Sequence, residues 1–208
     1  MTHEDVLTMI DEQRASRGFY GVSELLEWAA QSDNTFLDPF SILISRTVKL
    51  GRDNVFYPNV ILEVKNGGEL TLGNSNVLYP STLMIAERGK IFIANGNQLG
   101  DGGCSLKANM PDAVITVGDN GRYMSGAQVI GRTALGSGSQ VLGLITVQNC
   151  TLEGGGDYRS ADPDARAGLL KGSGLARNIT VPVGKVLNGS RMFEESQTED
   201  QSKYHPKK

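Results

Sequence analysis

Histidine is nearly missing from this chain: its 208 residues include only His3 and His205, both in terminal segments. A three-histidine metal centre within one chain is excluded, and no histidine in the body is available as a general base. Cysteine is as scarce. Cys104 and Cys150 lie far apart, so there is no CxxC metal pair and no disulfide framework, and at most one bridge. Aromatic residues make up 6% of the chain, which points to a thin core filled by aliphatic side chains. No stretch approaches the roughly 18 consecutive apolar residues of a membrane span. The net charge is −3 and the body holds no Lys/Arg-rich run, so a nucleic-acid footprint is missing. The basic cluster from Lys203 to Lys208 follows the acidic Glu194, Glu195, Glu199 and Asp200 and reads as a solvated terminus. The N-terminal MTHEDVLTMIDEQ lacks the basic and apolar regions of a signal peptide. With two isolated thiols, the expectation is a cytoplasmic protein with reduced cysteines.

What the chain does have is glycine and a recurring aliphatic-x-aliphatic triplet. The 26 glycines follow no three-residue period, which excludes collagen, and they cluster with Asn and Asp at turn positions. The triplet reads Val48-Lys49-Leu50, Leu70-Thr71-Leu72, Ile91-Phe92-Ile93, Ile115-Thr116-Val117, Ile145-Thr146-Val147 and Ile179-Thr180-Val181. Leu50 to Pro58 (LGRDNVFYP) and Leu72 to Pro80 (LGNSNVLYP) match at six of nine positions with an offset of 22. Short strands at a near-fixed period predict a solenoid, with the triplet ends inward and residues such as Thr71 and Phe92 outward. The intervals between triplets are 22, 21, 24, 30 and 34 residues, so the later coils must hold insertions or extra turns. Residues 154–173, rich in glycine and charge, read as the main loop.

Residues 1–41 differ. Val6, Leu7, Met9 and Ile10 have helical spacing, and Ser23 reads as the N-cap of a second helix buried through Leu25, Leu26, Trp28 and Ala29. This unit predicts a helical cap on the open end of the solenoid, which occupies residues 42–190. Residues 191–208 are expected to form a short helix and tail.

The strings Leu50-Gly51, Leu72-Gly73 and Val117-Gly118, each followed by polar residues and an Asn or Asp, resemble the Leu/Ile/Val-Gly-x-x-x-x hexapeptide repeat. The chain is thus similar to the hexapeptide-repeat acyltransferase-like superfamily over roughly residues 42–190. The resemblance implies a single-stranded left-handed parallel β-helix and a homotrimer. The resemblance also implies left-handed turns of three hexapeptides each, about 18 residues; the longer intervals leave a right-handed parallel β-helix as the alternative. The family's acyltransferases use a coil histidine as general base, and this chain has none to match.

Asn54, Asn76 and Asn97 share one offset and read as a corner ladder of amides. Tyr57-Pro58 and Tyr79-Pro80 stack one coil apart, as a surface aromatic column or a platform for a sugar or base. His205, before Pro206, reads as a terminal bystander. Asp101, Cys104 and Asp119 are candidate catalytic groups, Cys104 only if a nearby cation lowers its pKa. Asn120, Arg122 and Tyr123 join Asp119 in the densest polar cluster of the coils. Ser137 and Ser139 belong to a small-residue stretch whose backbone can approach an anion, and Tyr158 and Arg159 to a loop able to act as a lid with a cationic hook. Neither is a Walker A loop, for the closing Gly-Lys-Ser/Thr is missing. The expected function is an atypical hexapeptide-repeat protein: a trimeric scaffold for a partner protein, or a binder of a small polar or sugar ligand between subunits. The alternative is an acyltransferase or sugar-nucleotide-modifying transferase with a non-histidine catalytic group. No cofactor or metal is expected, and acyl-CoA enters only under that alternative.

Overall fold

Alternating aliphatic residues give strands too short to stand alone, and they are stabilised by stacking on copies of themselves. The computed structural model describes residues 2–205. Helices α1 (His3–Ala15) and α2 (Val22–Ser32) precede a coil that lays down three strands per turn. The first turns are β1 (Thr35–Phe36), β2 (Leu43–Ile44) and β3 (Lys49–Leu50); β4 (Val55–Phe56), β5 (Ile61–Lys65) and β6 (Glu69–Leu72); then β7 (Val77–Leu78), β8 (Thr82–Glu87) and β9 (Lys90–Ile93). Two more follow: β10 (Gln98–Leu99), β11 (Cys104–Ala108) and β12 (Val114–Val117), then β13 (Arg122–Met124), β14 (Ala127–Ile130) and β15 (Thr133–Leu135). In the last turns the first two strands fuse, giving β16 (Gln140–Gln148) with β17 (Thr151–Leu152), β18 (Leu169–Arg177) with β19 (Thr180–Val181), and β20 (Lys185–Met192). All these strands pair in parallel with their counterparts in the next turn; β21 (Glu199–Asp200) alone runs antiparallel, against β20.

The core is three internal columns, one per face. Phe36, Phe56, Leu78, Leu99, Tyr123, Val141, Leu170 and Leu187 stack in register on the first face. Leu62, Met84, Leu106, Val129, Val147 and Ala176 do so on the second. Leu50, Leu72, Ile93, Val117, Leu135, Leu152 and Val181 form the third. Except for the half-buried Leu50 these side chains are buried, and burial of apolar area along the axis is the principal stabilising term.

One triplet does not belong where its sequence suggests. Ile145-Thr146-Val147 lies in β16 on the second face, not in the column of Ile115-Thr116-Val117. The third column instead steps from Val117 to Leu135 and Leu152, through Thr133-Ala134-Leu135 and Cys150-Thr151-Leu152, which lack the triplet pattern. Coil lengths along that column are 21 residues (Leu72 to Ile93), 24, 18, 17 and 29 (Leu152 to Val181). The expected 30-residue interval is thus a hidden coil, and only the 29-residue step holds a long insertion. That insertion ends at Gly168, because Leu169 to Ser173, read from sequence as loop, pair with β16 as the start of β18.

Where β16, β18 and β20 bend from one face to the next, Gly143, Gly172 and Gly189 stack in register. Gly143 has φ +138°, and a Cβ there would sit 1.9 Å from the carbonyl oxygen of Gly172. A side chain at this corner meets backbone of the next coil, so only glycine lets the strand turn continuously.

At the N-terminal end, α2 buries Leu25 and sets Trp28 beside Phe36, which stacks on Phe56 with ring centroids 4.8 Å apart. The start of α2 differs from the expected Ser23 cap. Its N-cap is Gly21, whose N–H donates to Glu24, while Asp11 of α1 accepts from the N–H groups of Val22 and Ser23. The side chain of α1 that is buried is Arg14, which donates to the carbonyls of Pro39 and Phe40. The coils begin at Thr35, inside the segment read from sequence as the helical unit. At the other end the expected helix is missing among the described residues. Arg191 and Met192 finish β20, and residues 195–197 and 201–203 form 3-10 turns around β21, because pairing to β18 and β20 and the buried Phe193 outweigh local helical preference. Residues 206–208 of the basic tail lie outside the described residues. No helix among the described residues is long and apolar enough to cross a membrane.

Candidate functional site

Most of the polar corner residues belong to the fold. Asn54 donates through its backbone N–H and Nδ2 to Asn34 Oδ1, Asn76 does the same to Asn54, and Asn97 to Asn76, ending on the Gly121 N–H. These four asparagines are buried, as a structural ladder requires. A second, solvent-facing ladder, not anticipated from sequence, runs through Asn74, Asn95 and Asp119. Asp119 accepts from the N–H and Nδ2 of Asn95, and its own N–H donates to Ser137 Oγ at 3.0 Å. Asp119 and Ser137 are thereby committed to joining coils. Asn120 is exposed and holds a left-handed turn at φ +57°.

Three other candidates lie in or beside the core. Tyr123 is buried in the first internal column, where its hydroxyl pairs with the buried Ser139 at 2.9 Å and burial pushes its phenol well up. Glycine at 121 makes room for it, since a Cβ there would lie 2.3 Å from the Tyr123 hydroxyl. Neither Tyr123 nor Ser139 can therefore touch a ligand. Cys104 is also buried, and burial pushes its thiol up to about 12, the opposite of what a nucleophile needs. Asp101 sits exposed in a turn, where its carbonyl accepts from the Ser125 N–H. Tyr57 and Tyr79 stack on each other, centroids 5.3 Å apart and planes 27° apart, so the two rings cover one another's faces.

Arg122, Tyr158 and Arg159, by contrast, are brought together. Arg122 opens β13 and points outward between Gln98 and Gln140 of the neighbouring coils. Its guanidinium carbon lies 4.4 Å from the centroid of the Tyr158 ring, and that of Arg159 lies 5.4 Å from the same ring. The inserted loop that carries Tyr158 is fixed by Asp157, which ion-pairs with Arg159, and by Arg166, whose Nε and Nη2 donate to the carbonyl of Ser160. The Arg159 guanidinium holds the Asp157 carboxyl below its ordinary value.

Between coils, loop and C-terminal segment lies a groove of about 390 Å³. Its floor is Arg122, Gln140, Leu142, Leu169 and Lys171, and its walls are Tyr158, Arg166, Gln201 and His205. Three of these side chains are cationic and no carboxylate lines it among the described residues. Two buried polar atoms here have no hydrogen-bond partner, Arg122 Nε and Gln201 Oε1. Sequence reading missed Arg166, Lys171 and Gln201, and set His205 aside. The strand register that places Lys171 beside Leu142 is the signal that would have found one of them. A larger cavity of about 430 Å³ runs along α1 between Val6, Met9, Phe19 and Leu43, but its surface is almost wholly apolar and offers little to orient a ligand. Chemically, the groove can hold anions and hydroxyl groups. Among the described residues no cluster of three or more His, Cys, Asp or Glu is placed to hold a metal ion. Comparison with known proteins finds no matching family model and no matching curated protein.

Proposed function

We propose that this protein is an atypical, non-catalytic member of the hexapeptide-repeat superfamily that binds a small polar ligand in the groove over Arg122. The observation that carries this reading is a groove lined by three cations, two of whose lining residues, Arg122 and Gln201, each keep a buried polar atom (Nε and Oε1) without a hydrogen-bond partner. Buried polar groups without partners are costly, and two of them on residues that line one cationic groove favour a ligand that brings polar groups to it. The left-handed form of the solenoid is supported by the 18- and 17-residue coils from Val117 to Leu152, the length of three hexapeptides.

The same proposal includes a homotrimer. The second face turns Leu83, Ile85, Ile130 and Leu175 half-exposed to solvent, with Leu144 64% and Met192 52% exposed. Exposed apolar side chains gathered on one sheet face are favourable ground for association. The test is twofold. A thermal-shift and calorimetric screen of small polar compounds should yield ligands whose binding is lost in Arg122→Gln, and sedimentation should give a species three times the 22.3 kDa chain that Leu144→Glu dissociates. Efficient acyl transfer from acyl-CoA to a hydroxyl or amine acceptor would end the non-catalytic reading, and a purely monomeric sedimentation profile would end the trimer.

A further inference from the structure

The two unpartnered atoms are not equivalent, and their polarity specifies a ligand. Gln201 is 1% exposed, and its Nε2 donates to the carbonyls of Ala167 at 2.7 Å and Lys185 at 3.2 Å. A carbonyl accepts only, so the amide nitrogen must face those two groups and cannot exchange places with the oxygen. Oε1 is therefore an acceptor awaiting a donor. Arg122 Nε carries the complementary need, an N–H with no acceptor. Its guanidinium makes no ion pair among the described residues; it meets the Tyr158 ring, and its Nη2 approaches Met124 Sδ at 3.6 Å.

Charge on the lining of the groove is one-sided. Arg122, Arg166 and Lys171 line it, and Lys171 is exposed without an ion pair or hydrogen bond among the described residues. Of the carboxylates nearby, Asp157 pairs with Arg159 and also attracts Arg166, Asp164 accepts from the Ser202 N–H, Asp200 pairs with Lys185, and Glu199 pairs with Lys203. Clustered cations in a partly enclosed cavity repel one another, and an anion removes that repulsion. A bare anion, however, leaves Gln201 Oε1 without a donor.

We propose that the groove selects a small hydroxylated anion, with its carboxylate or phosphate on Arg122 and Lys171 and a hydroxyl donating to Gln201 Oε1. This rests on the reading of the groove as a ligand site. Calorimetry on the full chain with glucose 6-phosphate, glucuronate, glucose and inorganic phosphate separates the two claims. Either sugar anion should bind at least about tenfold more tightly than glucose and than inorganic phosphate, since charge-assisted contacts and a satisfied buried acceptor each contribute about that factor. Which of the two binds identifies the anionic group. Glucose binding as tightly as both sugar anions overturns the anion assignment but leaves a polar-ligand groove. Inorganic phosphate matching glucose 6-phosphate overturns the hydroxyl assignment. If none of the four binds, this proposal falls, and the reading beneath it falls as well only if the wider screen yields no polar ligand whose binding is lost in Arg122→Gln. Lys171→Met removes an exposed, unpaired side chain and should fold normally. It should weaken the sugar anion about tenfold while leaving weak glucose binding unchanged; an unaltered anion affinity in that variant removes Lys171 from the site and overturns the assignment.

Discussion

Asn54 Oδ1 accepts two hydrogen bonds from Asn76, one from its backbone N–H at 2.9 Å and one from its Nδ2 at 3.1 Å. Asn76 in turn accepts from Asn97 and donates to the carbonyl of Ala94, so a single side chain serves three coils. Asn76→Ala should cost about 3 kcal/mol, because buried donors and acceptors on two neighbours lose their partner. Asn74→Ala in the solvent-facing ladder should cost about 1 kcal/mol or less, since water replaces the amide. Urea unfolding of both variants beside the parent measures the difference, and equal losses would show that the buried ladder carries no special weight.

Glycine 143 should be irreplaceable where Gly67 is not. Both have positive φ, but a Cβ at Gly67 meets nothing within 4 Å, whereas one at Gly143 runs into the backbone of Gly172. Gly67→Ala should lower stability by about 1 kcal/mol through backbone strain. Gly143→Ala should exceed about 3 kcal/mol or prevent folding, because the next coil must move. Thermal unfolding of the pair settles the comparison.

Both thiols should be silent in the native protein. Cys104 and Cys150 are buried and free, and burial pushes Cys150 up as it does Cys104. Intact-mass analysis after iodoacetamide at mildly alkaline pH should show no adduct on the folded chain and two after denaturation. Rapid native labelling at Cys104 would contradict its burial.

The inserted loop should loosen in acid. Arg159 holds the Asp157 carboxyl below the ordinary 3.8, while partial burial opposes the shift. A carboxylate depressed in the folded state contributes its full stabilisation above the unfolded value and loses it as pH falls through the lower folded value. Hydrogen-exchange protection of the Arg159 amide, which donates to Asp157 Oδ1 at 2.8 Å, should therefore hold above pH 3.8 and decline below it. Asp157→Asn should show low protection at every pH with no such step.

The architecture was legible because its driving force is local in sequence. Leu70/Leu72, Ile91/Ile93 and Ile115/Val117 alternate inward and outward, and stacking them buries the same face in every turn. The ladder at Asn54, Asn76 and Asn97 was legible for the same reason: a constant offset puts like residues at like corners. Reading failed where that local signal was absent or duplicated. Thr133-Ala134-Leu135 buries only one large aliphatic and was passed over, while Ile145-Thr146-Val147 carries the right pattern on a different face. Tyr123 looked polar in a polar neighbourhood, but strand parity turns it inward and Arg122 outward.

The groove was least legible. Arg122 and Lys171 lie two coils apart along the first face, Tyr158 and Arg166 come from an insertion, and Gln201 and His205 from the end of the chain. Nothing in local spacing links them.

By itself the sequence determined that short aliphatic strands stack along one axis, since alternation and period are properties of the chain read in order. Which polar residues are buried bystanders and which face a common cavity was decided only by tertiary structure. Register between coils sets which side chains face outward, and the packing of the loop and terminal segment sets what those side chains meet.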